Sequence, residues 1–231
     1  MFVDTAASKS RELFRILVSP VVRRYRQDDP RQYPWLEQNM ANIVSVFRII
    51  ASILIVVGLV TANSTGYRYL WLFLAVINIA TDGIDGEIAR GLKTESNFGK
   101  AIDPLADKIT FATLAIGLIP YFTTELGYTP TGFVVVVVCA LLLEVRVLIT
   151  GARVGYLAKK ADIKPNGANS FGKVKFGLQC LAVMLGWGIP NVSVAIWISS
   201  ILISIGLYFS VMSRRGYIKQ LNEIRANLNL N

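Results

Sequence analysis

Histidine is missing from all 231 residues, and cysteine occurs only twice, at Cys139 and Cys180. Without histidine there is no Ser-His or Cys-His catalysis, no imidazole metal ligand and no imidazole general base. Any acid–base or metal chemistry must therefore rest on Asp, Glu, Lys, Tyr or Cys. Both cysteines fall inside apolar stretches, which excludes a disulfide framework or a metal-binding spacing and predicts buried, weakly polar packing. Charge is scarce as well, at 17% of residues, and repeats and low-complexity tracts are absent. The first 40 residues are too charged for a cleavable signal peptide and lack its compact apolar stretch.

What fills the chain instead is apolar: 53% hydrophobic residues and a mean hydropathy of +0.49. Residues 43–62, 109–122, 132–143 and 192–212 are nearly or wholly free of charge, and 69–80 and 176–190 reach spanning length with their flanks. About 20 mostly apolar residues cross a bilayer core as a helix, so the expectation is an all-α integral membrane protein with six transmembrane helices. Leu13, Phe14, Leu17 and Val21 share one helical face, with Arg11 and Arg15 on another, which predicts an N-terminal amphipathic helix lying in the interface. The expected organisation is a juxtamembrane segment over 1–41, a six-helix catalytic domain over 42–213 and a tail over 214–231.

The 24 Lys+Arg outnumber the 15 Asp+Glu, and their positions alternate along the chain. Basic residues gather in the N-terminal segment, in the connections after spans two and four, and in the tail, whereas the other connections hold only Arg68. Positive charge marks the cytoplasmic side, which predicts both termini on that face of a multi-pass protein. The basicity is explained by topology and attraction to anionic lipid, and nucleic-acid binding is not expected.

Acidic residues stand out against this background. Asp82, Asp85, Asp103 and Asp107 sit at the ends of two apolar segments, in the pattern D-x-x-D-G-x-x-A-R-x(8)-G-x-x-x-D-x-x-x-D. On a helix, Asp82, Asp85, Gly86 and Ala89 share one face, and so do Gly99, Asp103 and Asp107. An intervening turn lets the two faces meet, and four converging carboxylates repel unless cations neutralise them. Hard oxygen donors suit Mg²⁺, Mn²⁺ or Ca²⁺, and two such ions can clamp a phosphoryl transfer. Gly86, Ala89 and Gly99 leave room for a base and a diphosphate, Arg90 can pair with phosphate oxygens, and Asp107 can accept a proton from an attacking hydroxyl. Asp103-Pro104 also reads as a helix start, with Asp as N-cap. A cation transporter with intramembrane carboxylates is the reading from another class.

At Asp82, Asp85, Gly86, Ala89, Arg90, Gly99, Asp103 and Asp107 the chain resembles the CDP-alcohol phosphatidyltransferase family, matching every position of its signature. The resemblance implies an integral membrane enzyme, generally a homodimer, that moves a phosphatidyl group from CDP-diacylglycerol to an alcohol and releases CMP. It implies two divalent cations, Mg²⁺ or Mn²⁺, on Asp82, Asp85, Asp103 and Asp107. Asp82, Gly86, Ala89, Arg90 and Gly99 would hold the CDP moiety, with Asp107 as the base. Asn42 to Arg48, Asp103 to Lys108, and Gly172 to Lys175 with Gln179 resemble members that use glycerol 3-phosphate. The chain departs from them in Ala41, Val147 and Phe176.

Two further groups bear on the substrates. Arg146, Arg153, Lys173 and Lys175 lie near the same ends of spans four and five, and such cations suit a phosphorylated acceptor such as glycerol 3-phosphate or inositol phosphate. Phosphatidylglycerol or another alcohol is the alternative acceptor, and Arg146 could instead pair with Glu144. Asn42, Ser45 and Arg48 form a polar stripe on span one that could line a headgroup pocket, although Arg48 is also within snorkelling reach of the interface.

Overall fold

The computed structural model describes residue 19 and residues 35–92, 97–161 and 170–227. Within its helices, the side chains at 35–38, 40–41, 82–92, 97–101, 170 and 173 fall outside that description. The expected interfacial helix around Leu13, Phe14, Leu17 and Val21 lies outside the described residues.

Six long helices account for the described chain: α1 (Trp35–Thr61), α2 (Thr65–Leu92), α3 (Asn97–Leu126), α4 (Thr131–Lys160), α5 (Ser170–Gly188) and α6 (Val192–Asn227). Among the described residues no strand occurs. Among the described residues, four stretches are long and apolar enough to cross a membrane: Asn42–Thr61, Ile102–Leu126, Thr131–Lys160 and Val192–Asn227. In α5 the apolar part, Val174–Gly188, is shorter, and α2 carries the first two aspartates of the motif in its last turns.

Burial runs opposite to that of a water-soluble protein. Phe47, Phe73 and Trp197 are 67%, 61% and 71% exposed, whereas Ser45, Ser52, Ser199 and Ser210 are buried. A broad apolar exterior around a partly polar interior is stable against lipid, where the helix contacts are made by small and hydrogen-bonding residues. Threonine hydroxyls bond back to their own helix, exposed at Thr61 and Thr124 and more buried at Thr113 and Thr150, each to the carbonyl four residues earlier. The structure is that of an all-α membrane protein.

Among the described residues, short turns join α1 to α2, α3 to α4 and α5 to α6 where the sequence breaks its apolar periodicity. The Ser64 hydroxyl accepts the Tyr67 amide at 3.4 Å at the start of α2, and Asn191 Oδ1 accepts the Val194 amide at 3.1 Å at the start of α6. Gly127, with φ of +72°, ends α3 in the left-handed region that only glycine enters freely. The end of span three thus reaches Leu126, further than the apolar run to Phe122 suggests.

The chain forms two compact units, Met1–Gly117 and Leu118–Asn231. In the first, α1 packs on α2, with the Trp71 ring seated on Gly58. In the second, α6 packs along both α4 and α5. Its core includes Trp187, stacked on Tyr121 at 5.0 Å, and Phe122 set edge-on to Phe133 at 5.1 Å. The stretch after residue 213 continues α6 as helix. Tyr217, Leu221 and Ile224, at i, i+4 and i+7, pack against Val154, Leu157 and Ala158 of α4 and Ala161 just after it. Of the two cysteines predicted to be buried, Cys139 is exposed and Cys180 half-buried. Position 139 faces outward because residues 137 and 140 take the inward face of that turn.

Candidate active site

The first unit contains a ladder of polar side chains between α1 and α3. Ser45, Arg48 and Ser52 occupy i, i+3 and i+7 of α1, and Asp103, Asp107 and Thr110 occupy i, i+4 and i+7 of α3, so each set lies on one helix face. The Ser45 hydroxyl donates to Asp103 Oδ1 at 2.6 Å. Arg48 Nη2 stands 3.1 Å from Asp107 Oδ1. Ser52 and Thr110 share a hydrogen bond of 2.8 Å. The partners rise together in residue number, so α1 and α3 run parallel, as the first and third spans of an up-and-down bundle must.

A third helix joins through Asn78 of α2. Its amide donates to Ser52 Oγ at 3.0 Å and to the Arg48 carbonyl at 3.3 Å, while Ser52 Oγ also donates to that carbonyl at 2.7 Å. Asn78, Ser52 and Thr110 are buried. Inside a bundle such groups are tolerated because each finds a partner. Asp82 and Asp85 follow Asn78 at i+4 and i+7, so helical register puts the three on one face of α2.

Asp103 and Asp107 stand one helical turn apart at a half-buried position. The Arg48 side chain is 2% exposed and that of Asp107 27%. A guanidinium this deeply buried is tolerated because a carboxylate faces it, and removing one partner of such a pair costs about 3–5 kcal/mol. Arg48 is therefore not a snorkelling residue. The expectation that Asp103 caps a helix is also corrected: α3 begins at Asn97, so Asp103 sits inside the helix and its carboxylate accepts from Ser45 across to α1. Pro104 lacks the amide that would continue the helical hydrogen bonding there.

The other sequence-derived positions separate into three groups. Asp82, Asp85, Gly86, Ala89 and Arg90 lie on the last turns of α2 and Gly99 on the first turn of α3, with side chains outside the described residues. The three positions of the span-one stripe diverge. Ser45 and Arg48 meet the carboxylates of α3, whereas the Asn42 amide donates to Asn39 Oδ1 at 3.3 Å. Arg146 and Arg153 are exposed on α4, and the Lys173 side chain is outside the description.

Lys175 is buried in the second unit, its ammonium 2.8 Å from Glu144 Oε2. Glu144 Oε1 accepts from Gln179 at 3.0 Å and from Ser210 at 3.2 Å, tying α4, α5 and α6 together. The sequence suggested Arg146 as a possible partner for Glu144. Here Lys175, on the next helix, holds its carboxylate.

Residues 38–212 match the CDP-alcohol phosphatidyltransferase family, and the chain belongs to it. It is a membrane-embedded transferase of that class. Among the chains it is similar to is the CDP-diacylglycerol–glycerol-3-phosphate 3-phosphatidyltransferase of Rickettsia bellii (strain RML369-C), 26% identical over 187 residues that cover 80% of this chain and 96% of the relative. The enzyme of the same name from Bacillus subtilis (strain 168) is 30% identical over 149 residues, 64% of this chain and 70% of the relative. That from Wigglesworthia glossinidia brevipalpis is 28% identical over 183 residues, 78% and 94% of the two chains.

Proposed function

We propose that this protein transfers the phosphatidyl group of CDP-diacylglycerol to glycerol 3-phosphate, giving phosphatidylglycerophosphate and CMP. The observation that carries the reading is the pair Asp103 and Asp107, held one turn apart on α3 within a family-matched segment. The acceptor is supported by the shared name of the relatives.

In the proposed reaction, the acceptor hydroxyl gives its proton to Asp107 as its oxygen attacks the β-phosphorus of the CDP-lipid. The phosphoanhydride bond breaks and CMP departs with the bonding pair. Asp82, Gly86, Ala89, Arg90 and Gly99 hold the CDP moiety. Asp103 and Asp107 offer hard carboxylate oxygens, a donor set that fits Mg²⁺ or Mn²⁺, and with Asp82 and Asp85 they would hold two such ions. Bound there, the cations would supply charge stabilisation for the phosphoryl transfer. Arg146 and Arg153, exposed on α4, are candidates for the acceptor phosphate together with Lys173. Lys175 is a weaker one, because Glu144 already matches its charge. A cytoplasmic site and a homodimeric assembly complete the proposal.

The test is CMP release from CDP-diacylglycerol by purified protein, with glycerol 3-phosphate, inositol phosphate, phosphatidylglycerol or glycerol supplied in turn, with and without Mg²⁺ or Mn²⁺. Turnover with glycerol 3-phosphate alone is expected. Turnover confined to another alcohol would reject the acceptor while keeping the reaction class, and ion flux without CMP release would reject the class.

A further inference from the structure

We infer that α1 is the positioning element of the carboxylate pair, with Ser45 fixing Asp103 and Arg48 fixing Asp107, and that the two contacts govern different kinetic quantities. The inference rests on the proposed reaction, in which both aspartates bind metal and Asp107 also takes the proton.

Both contacts reach the same atom of their aspartates, Oδ1, at 2.6 Å from Ser45 and 3.1 Å from Arg48. A carboxylate tied through one oxygen cannot swing freely, so the direction of its second oxygen is set as well. Groups that orient metal ligands and bases in this way are typically worth about 10- to 100-fold in metal affinity or activity.

The two donors differ in charge. The Ser45 hydroxyl is neutral and leaves Asp103 its full negative charge for a cation. The Arg48 guanidinium offsets the charge of Asp107, so its hold contributes orientation more than cation affinity. A buried arginine is also a costly way merely to pack two helices, since an apolar side chain of similar volume would serve as well or better. Its backbone is fixed in turn, because the Arg48 carbonyl accepts from both Ser52 and Asn78.

Two signatures follow. Ser45→Ala is expected to raise the Mg²⁺ concentration for half-maximal CMP release about tenfold, while kcat at saturating Mg²⁺ falls less than in Arg48→Met. Arg48→Met is expected to lower kcat at saturating Mg²⁺ by about 10- to 100-fold without raising the Mg²⁺ requirement. Arg48→Lys keeps the charge but loses the planar fork, and it should fall between Arg48→Met and wild type. Binding of Mn²⁺ to substrate-free protein, followed by electron paramagnetic resonance, supplies a readout independent of turnover. Affinity should fall about tenfold in Ser45→Ala and hold in Arg48→Met.

If added Mg²⁺ restores Arg48→Met, or if Ser45→Ala and Arg48→Met change kcat and the Mg²⁺ requirement alike, the assignment is overturned. Should Arg48→Met not fold in the membrane, Arg48→Lys decides. A reduced kcat with unchanged Mg²⁺ dependence supports the inference, and wild-type kcat overturns it. The parent reaction is checked alongside. Absence of CMP release by wild type, or full rate in Asp107→Asn, rejects the reaction itself. An active wild type and inactive Asp107→Asn with full kcat in Arg48→Met rejects only the role of Arg48.

Discussion

Asp107 carries two proposed duties, and Asp107→Asn removes its charge and its proton-accepting oxygen while keeping its shape. Asparagine keeps the shape and one acceptor oxygen but cannot take a proton, so Asp107→Asn should lower kcat by about 10² to 10⁴. CMP release at saturating Mg²⁺ measures this, and a rate within a few-fold of wild type would rule out Asp107 as the base. The partner of this residue was the least legible part of the site. Alone in an apolar span, Arg48 reads as a snorkelling anchor or a pocket residue, because linear sequence does not give depth or the identity of the facing helix. The available signal was a match of registers, Ser45-Arg48-Ser52 at i, i+3, i+7 against Asp103-Asp107-Thr110 at i, i+4, i+7. The aspartate spacing itself was fully legible, since it lies within one short stretch of chain.

At the level of helices, two contacts make opposite demands on their substitutions. Gly58 admits the Trp71 ring so closely that a Cβ would land on it. Gly58→Ala should therefore destabilise the α1–α2 pair by about 1–3 kcal/mol, seen as a lower unfolding temperature in detergent. Trimming the ring in Gly58→Ala/Trp71→Leu should recover part of it, and a Gly58→Ala protein as stable as wild type would refute the close packing. The Glu144–Lys175 pair responds differently. Glu144→Leu leaves a buried ammonium unpaired and should cost about 3–5 kcal/mol, whereas Glu144→Leu/Lys175→Met removes both charges and should cost less. Equal losses in the single and double variants would mean that the pair is not the unit. Glu144 stood out in the sequence as a charge in an apolar run, and Lys175 as one of the basic residues near the end of span five. Their pairing did not, because it joins positions 31 residues apart on different helices. Helix ends were legible only in part: the sequence expected a start at Asp103 and a span ending at Phe122, whereas α3 runs from Asn97 to Leu126. Ser64, Gly127 and Asn191 act through local hydrogen bonds and backbone angles, which a short window of sequence contains.

At the scale of the whole chain, the described helices expose apolar side chains and bury a minority of polar ones, and the charge pattern predicts an orientation in the membrane. With six helices in series, residues 62–64 and 127–130 fall on the opposite side of the membrane from residue 227, if each helix crosses once. The basic residues predict a cytoplasmic C-terminal end: Arg214, Arg215, Lys219 and Arg225 lie at the end of α6, while Arg68 is the only basic residue close to the turn after α1. Cysteine labelling tests this once Cys139 and Cys180 have been changed to serine and activity verified. Ser64→Cys should react with a membrane-impermeant maleimide in intact cells, and Asn227→Cys only after permeabilisation. The reverse pattern would place the carboxylates, and with them the proposed CDP-lipid site, on the outer face. There CDP-diacylglycerol and glycerol 3-phosphate would have to be supplied from outside the cell. Labelling of both positions in intact cells would instead break the even count of crossings, pointing to α2 or α5, in which the described apolar stretch is shortest.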